Sequence, residues 1–424
     1  MLRIGIAGLG VVGSHVIKLL TDNASSIAER AGQPIKVTAV SARDRSKMRT
    51  CDLTGIEWVA SPLDLVPRHD VDVVVELIGG AEGTPRLLAE AALKAGKSLV
   101  TANKALLAAH GDKLAAFAEQ SGSQIVWEAS VAGGIPVIKA LREGMAANRV
   151  SVVHGILNGT CNYILTRMRA AKIDFATALK EAQEKGYAEA DPSADIDGHD
   201  TANKLALLAA VAFGGKPNLD AIHVAGIRHI TPVDLAFAED LDFRIKLLGN
   251  ARLTDHGVEQ SVGPSLVPLS SPLSQIDGVL NAVLLRGDYI GEVMLSGRGA
   301  GGHPTASAVV ADLIDLARGR KTPVFGIPTA GLKSHSTIAA PPMRYYIRLQ
   351  VMDRPGGVAD ISAILRDEGI SIESMLQRGQ SAIESVPVVI TTHSAAKDGI
   401  DRAMTKISRL AAVSEKPCVM TIEE

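Results

Sequence analysis

Gly8, Gly10 and Gly13 form a G-x-G-x-x-G run between an apolar stretch, Arg3 to Ala7, and a stretch with helical character. In a strand–turn–helix setting each glycine has its own task. The first permits a tight turn, the second lets backbone approach a pyrophosphate, and the third allows close helix packing, while the helix N-terminus offers N–H donors to phosphate. Gly8, Gly10, Val11, Val12 and Gly13 are therefore candidate cofactor-binding residues; read blandly, the run is only a turn. An NAD site usually ends its second strand on an acid that holds the ribose. Here that strand runs into Val40, Ser41, Ala42 and Arg43, with Arg45 and Lys47 close by. A guanidinium pairs bidentately with phosphate, so Arg43 inclines the site toward NADP, and the adjacent Asp44 leaves NAD open.

Hydride transfer to a carbonyl also needs a proton donor at the developing alkoxide and charges that orient the substrate. Three segments carry such groups. Thr101, Ala102, Asn103 and Lys104 follow the fourth strand, at the sheet edge where open α/β folds bind ligands. Lys104 at a helix start opposes the helix dipole, a mild misfit that favours a functional role. The second segment, Gly186 to Lys204, places five acids between Glu189 and Asp200, and sets Asp200 and Lys204 four residues apart on one helix face. Carboxylates suit the ammonium group of an amino acid and a lysine suits a carbonyl oxygen, although an ordinary i,i+4 ion pair would look the same. His199 stands among these acids without a second histidine at metal spacing, which argues against zinc. The third is Gly297 to Gly302, before a helix beginning near Pro304, where backbone N–H groups could meet the cofactor.

The elements around these residues can be read from periodicity. From Leu2 to about Glu128, strands at Arg3–Ala7, Ile35–Val40, Val71–Ile78, Ser98–Thr101 and Gln124–Trp127 alternate with helical stretches, which predicts a parallel sheet covered by helices. Gly96 and Gly122 suit helix C-caps, and Pro85 and Pro136 suit first helical turns. Beyond about residue 150, a strand at Ser151–Leu157 leads into helices as far as Phe213. Alternating stretches at Gly257–Leu266 and Gly278–Leu295 then suggest antiparallel strands joined around Arg286–Asp288, so the middle reads as α+β. The small, polar, proline-containing stretch 334–343 reads as a linker to a separate tail. That tail runs strand (Tyr345–Met352), helix (Gly357–Asp367), strands (Ile370–Leu376 and Ser385–Thr392), helix (about Ala395–Leu410) and a strand ending at Thr421, the ferredoxin-like βαββαβ plan.

Composition narrows the function classes. A length of 424 residues suits two or three domains, and 44 basic against 46 acidic residues give a net charge of −2, which draws neither nucleic acid nor a membrane surface. Three scattered cysteines fit reduced, buried thiols rather than a disulfide framework. The apolar start, Ile4–Val12, lacks the flanks of a signal peptide, and Leu205–Phe213 is too short to span a bilayer, so a cytoplasmic location is expected.

Taken in order, the glycine loop, the Thr101–Lys104 segment, Glu128 to Pro136, the turn Asn158–Thr160, the stretch Gly186–Lys204 and the loop Gly299–Gly302 resemble the homoserine dehydrogenase family over nearly the whole chain. The resemblance implies a Rossmann-type dinucleotide-binding domain (1–130, with 303–333 returning to it). It also implies an α+β catalytic and dimerisation domain (131–302), a linker (334–343) and a ferredoxin-like ACT regulatory domain (344–424). It implies Lys204 as proton donor and acceptor, Lys104 beside substrate and nicotinamide, and Glu189, Asp200, Asp195 and Thr160 around L-homoserine or L-aspartate 4-semialdehyde. Gly186 and Gly301 would touch the cofactor. A structural sodium ion would be held by Glu128, Val131, Gly133 and Ile135, mainly through carbonyl oxygens, which suit a hard cation. Asp353 to Gly357 lies where such tails bind amino acids, which implies threonine feedback inhibition on the route to threonine, methionine and isoleucine. A homo-oligomer, dimer or tetramer, is implied too. No aspartate kinase segment precedes the glycine loop, as in the monofunctional form. The rivals are a reductase for another semialdehyde or an imine, and a cofactor-sensing regulator without activity. Nicotinamide absorbance with homoserine, related hydroxy amino acids or no substrate separates the three.

Overall fold

The structure, a computed structural model, describes residues 1–352, 356–377 and 385–423. Strands β1 (Leu2–Ala7), β2 (Ile35–Ser41), β3 (Glu57–Trp58), β4 (Val73–Glu76), β5 (Ser98–Thr101) and β6 (Ile125–Val126) form a parallel sheet in the order β3-β2-β1-β4-β5-β6, that of a dinucleotide-binding fold. The strands are apolar on both faces because alternate residues enter different cores. Ile4, Ile6, Val73, Val75 and Val100 pack with Val309 and Leu313 of the helix Gly302–Ala317, while Val74 and Leu99 enter the main core. That helix lies against the helix Val11–Asp22: Gly302 sits so close to it that a Cβ would meet the His15 ring at 2.5 Å.

The remaining strands are β7 (Val150–Ile156), β8 (His223–Val224), β9 (Phe243–Thr254), β10 (Gly257–Pro268), β11 (Leu280–Gly287), β12 (Gly291–Arg298), β13 (Arg344–Met352), β14 (Ile372–Gln377), β15 (Ser385–Thr392) and β16 (Cys418–Ile422). They join one sheet in the order β12-β11-β7-β9-β10-β16-β13-β15-β14, with β8 paired to β10. Within it, β16-β13-β15-β14 is the expected ferredoxin-like arrangement, backed by the helices Gly357–Asp367 and Lys397–Ile407.

The tail has a core of its own, with Ile347, Leu349, Ile361 and Ile400 at its centre, and it is also joined to the middle region. β16 pairs in parallel with β10, Ser265 opposite Thr421 and Leu266 opposite Ile422, and Cys418, Met420 and Ile422 belong to the main core. From β13, the Tyr346 hydroxyl and the Arg348 guanidinium both reach Oδ1 of the fully buried Asp234, at 3.0 and 2.7 Å. The stretch read as a linker is laid along β10: the Val258 N–H donates to the Ser336 carbonyl and the Ile338 N–H to that of Val258.

Smaller differences have local causes. The twelve-residue β9 shows little alternation because it is buried on both faces through its middle, where Lys246 and Asn250 interrupt the apolar run. The strands expected at Val71–Ile78 and Gln124–Trp127 shorten to four and two residues. The helix placed near Pro304 begins at Gly302, and Pro136 is an N-cap residue rather than a first-turn one.

Candidate functional site

The glycine loop turns from β1 into the helix Val11–Asp22. Gly8 has φ +106° and a Cβ there would lie 2.5 Å from the Leu77 carbonyl oxygen; a Cβ on Gly13 would overlap the carbonyl of Gly8. Gly10 differs, since a Cβ on it would meet nothing within 4 Å. Packing therefore demands glycine at Gly8 and Gly13 and leaves Gly10 facing open space. No side chain caps this helix and no acid occupies its first turn, so the N-terminal end at Val11, Val12 and Gly13 is open to an anion. At the end of β2, Ser41 is fully buried with an Oγ that has no partner among the described residues. Arg43 is exposed just beyond it, while the Asp44 carboxylate accepts from the N–H and hydroxyl of Ser46. These features fit a dinucleotide, with Asp44 occupied in its own turn.

The Thr101–Lys104 segment is held by a residue that periodicity did not single out. Glu76, fully buried at the end of β4, accepts from the N–H groups of Ile78 and Gly79 and, at 2.7 Å, from the Thr101 hydroxyl. Thr101 Oγ1 accepts from the Asn103 N–H. Asn103 in turn donates to the Gly80 carbonyl and caps the helix Lys104–Ser121 through the Leu106 N–H. The start of that helix, and Lys104 with it, is fixed relative to the turn after β4.

From the other side come Asp200 and Lys204, on the helix His199–Phe213. Lys204 Nζ donates to Asp200 Oδ2 and to the Leu157 carbonyl, both at 2.7 Å, and Lys104 Nζ lies 3.1 Å from Asp200 Oδ1. Burial opposes ionisation of Asp200. Lys204, Lys104 and the Asn158 amide outweigh it and hold the carboxyl well below the usual range. Asn158, which N-caps the helix Gly159–Ala171, donates to Asp195 at 2.7 Å and to Asp200 at 2.9 Å. Burial pushes the Asp195 carboxyl up, with the Asn158 amide opposing and the Asp200 charge adding. Two lysines thus flank one ionised carboxylate, and a second carboxylate shares its amide. One cation is left in excess over Asp200, available to a carbonyl oxygen.

Thr160 donates to the Tyr187 carbonyl at 2.7 Å, which anchors the stretch bearing Gly186 and Glu189 to the start of the same helix. Gly186 (φ +71°) and Glu189 are exposed, and the Glu189 carboxylate makes no hydrogen bond or ion pair among the described residues. The structure therefore gathers Lys104, Asp195, Asp200 and Lys204, and leaves Glu189 at the rim. Gly301 (φ +113°) precedes the helix that packs on the glycine-loop helix, and a Cβ on Gly133 would lie 2.5 Å from the Gly299 carbonyl oxygen.

Glu128 is buried and its carboxylate accepts from the N–H groups of Ile138 and Lys139 at 2.9 and 2.8 Å. Burial, with the nearby Asp312 charge, pushes this carboxyl up to about 7. Val131, Gly133 and Ile135 are buried beside it. The Ile135 carbonyl accepts from the Val137 N–H, whereas those of Val131 and Gly133 accept nothing among the described residues. Free carbonyl oxygens beside a carboxylate form a donor set that suits a hard cation. No cluster of three or more His, Cys, Asp or Glu residues able to hold a metal occurs among the described residues. Nor is any described helix long and apolar enough to cross a membrane.

Family models match along the chain: "Homoserine dehydrogenase, NAD binding domain" at residues 8–128, "Homoserine dehydrogenase" at 136–314 and "ACT domain" at 345–412. The chain is 43% identical to the homoserine dehydrogenase of Neisseria gonorrhoeae, over 99% of this chain and 97% of that one. A crystal structure of a homoserine dehydrogenase from Thiobacillus denitrificans superposes with a TM-score of 0.92 at 41% identity, covering 100% of this chain and 98% of that one. A hyperthermophilic archaeal homoserine dehydrogenase in complex with NADPH superposes with a TM-score of 0.65 at 27% identity, over 76% of this chain and 99% of the other.

Proposed function

The chain belongs to the homoserine dehydrogenase family, and from that premise we propose that it reversibly reduces L-aspartate 4-semialdehyde to L-homoserine with Lys204 as the proton donor. The observation that carries this reading is the Lys104–Asp200–Lys204 cluster, built from both domains. When bound, the nicotinamide dinucleotide supplies the hydride. Lys204, fixed between the Leu157 carbonyl and Asp200, gives its proton to the aldehyde oxygen as charge develops there. Lys104 stabilises the same oxygen and keeps Asp200 ionised. Asp200 and Asp195, with Glu189 at the rim and Thr160 below, receive the substrate ammonium. Replacing Lys204 by Ala is expected to lower kcat by ~10²–10⁴-fold while the circular dichroism spectrum stays the same. Near-normal turnover would remove Lys204 from this role.

NADP is the proposed preferred cofactor, supported by the exposed Arg43 at the end of β2 and by the archaeal relative's NADPH complex. Gly8, Gly10, Val11, Val12 and Gly13 would hold its pyrophosphate, and Lys104, Gly186 and Gly301 would border its nicotinamide half. A sodium ion at Glu128, Val131, Gly133 and Ile135 would tie these buried turns together; equal melting temperatures in sodium and choline chloride would sink that assignment. The ACT tail is proposed to carry threonine feedback at Asp353–Gly357, of which Asp353–Pro355 lie outside the described residues. Turnover indifferent to threonine would dismiss it. Assembly as a dimer or tetramer is proposed as well, to be read by sedimentation.

A further inference from the structure

Glu76 is the last residue of β4, and it is fully buried where the strand order turns between β1 and β4. In open α/β sheets the dinucleotide lies in the crevice at that turning point. No cation pairs with this carboxylate among the described residues. Donors from two segments meet it instead: the Ile78 and Gly79 N–H groups at 2.8 and 3.1 Å on Oε1, and the Thr101 hydroxyl at 2.7 Å on Oε2. A buried charge without a counter-ion is costly, and surroundings that keep one through neutral donors are organised around it.

The position joins two sides of the crevice. On one, the Leu77 N–H donates to the Ala7 carbonyl at 2.8 Å, and the Leu77 carbonyl is the group that a Cβ on Gly8 would strike. On the other, Thr101 Oγ1 accepts from the Asn103 N–H at 3.0 Å, and the Asn103 amide reaches the Gly80 carbonyl at 2.8 Å while capping the helix Lys104–Ser121. Residues 76–80 therefore touch both the glycine loop and the residue before Lys104.

The chain of hydrogen bonds also has a direction. Thr101 gives its one hydroxyl proton to Glu76, which leaves the oxygen's lone pairs to the Asn103 N–H. An amide cannot take the place of this carboxylate. Whichever way it lay in Glu76→Gln, its N–H hydrogens would face other donors: either the Thr101 hydroxyl, whose proton then loses its acceptor, or the Ile78 and Gly79 N–H groups.

We propose that Glu76 is a positioning residue for the reduction. Its carboxylate locks the turn after β4 to the start of the helix Lys104–Ser121, so that a dinucleotide seated on the glycine loop finds Lys104 already in place against Asp200. The inference rests on the proposed role of Lys104 beside the reacting carbonyl.

Hydrogen exchange of the full chain, read by mass spectrometry, tests the lock without turnover, so its result stands even where the dehydrogenase reading fails. In Glu76→Gln the amides of Asn103 and Leu106, neither of which touches Glu76, are expected to exchange roughly tenfold faster or more, while the helix Gly159–Ala171 keeps the parent rate. Thr101→Val is expected to do the reverse and speed Ile78 and Gly79; it carries the test where Glu76→Gln does not fold. Unchanged exchange at these remote amides overturns the lock. Turnover then asks whether the lock acts through Lys104. Glu76→Gln and Thr101→Val are each expected to lower kcat about tenfold or more with KM for homoserine within about threefold, and Thr101→Ser, which keeps the hydroxyl, to recover most of that loss. In a Lys104→Ala background the same two changes are expected to cost less than about threefold further. Full, additive losses there, or parent-like kcat in both variants, overturn the positioning role. Parent-like turnover in Lys104→Ala itself sinks the reading of Lys104, and the inference with it.

Discussion

Asn158 does three jobs with one side chain: it caps a helix and donates to both Asp195 and Asp200. Asn158→Ser keeps a good capping oxygen and loses the bridging amide. Because that amide lowers the Asp195 pKa against burial, its loss raises the pKa further, and the acid limb of the kcat/KM profile is expected to move to higher pH. A limb that stays put would mean that Asp195 is not the group titrating there. Arg43→Ala is expected to weaken NADPH binding roughly tenfold, ~1.4 kcal/mol, and leave NADH within about twofold, as read by fluorescence titration. Equal losses for both cofactors would take Arg43 off the 2′-phosphate. At this scale the sequence was partly legible. Asp200 and Lys204 could be found because a helix spacing of four puts them on one face. Asn158 is legible only as part of the turn Asn158–Thr160, without its bridging role, and Glu76 not at all, since a single amide or acid has no spacing and their partners are distant in the chain.

Among elements, the glycine loop separates structural glycine from functional glycine. Gly13→Ala forces an overlap with the Gly8 carbonyl and is expected to cost about 1–3 kcal/mol, seen as a lower melting temperature without cofactor. Gly10→Ala meets open space, so its stability is expected to stay within ~0.5 kcal/mol while NADPH affinity falls, because the new methyl stands where the pyrophosphate would approach. The opposite pattern would reverse the two roles. This loop was readable because its constraint is local: strand, turn and helix lie within about twenty residues. β9 was not, because burial on both faces removes alternation, and the two-residue β3 is too short to leave a pattern. Nor does the pairing of β10 with β16 have any local signal, since it depends on where the tail finally packs.

The whole molecule is held across its two halves by a buried charge. Asp234, fully buried, takes both Arg348 and Tyr346 from β13. Arg348→Leu leaves that carboxylate without its counter-ion and is expected to cost about 3–5 kcal/mol, with faster proteolysis around residues 334–343. A melting temperature within a degree of the parent's would show that the junction is held by something else. Deleting the tail is for the same reason a poor test of regulation, because it strips the edge of β10 and part of the main core along with any effector site. The joint has a further consequence in time. Ser265 and Thr421 touch across 156 residues of chain, so at ribosomal speeds of ~5–20 residues per second the edge of β10 waits roughly 8–30 s for its partner to be made. During synthesis, β8 and the strap at residues 336–338 are the segments available to shield that edge, each made earlier than β16.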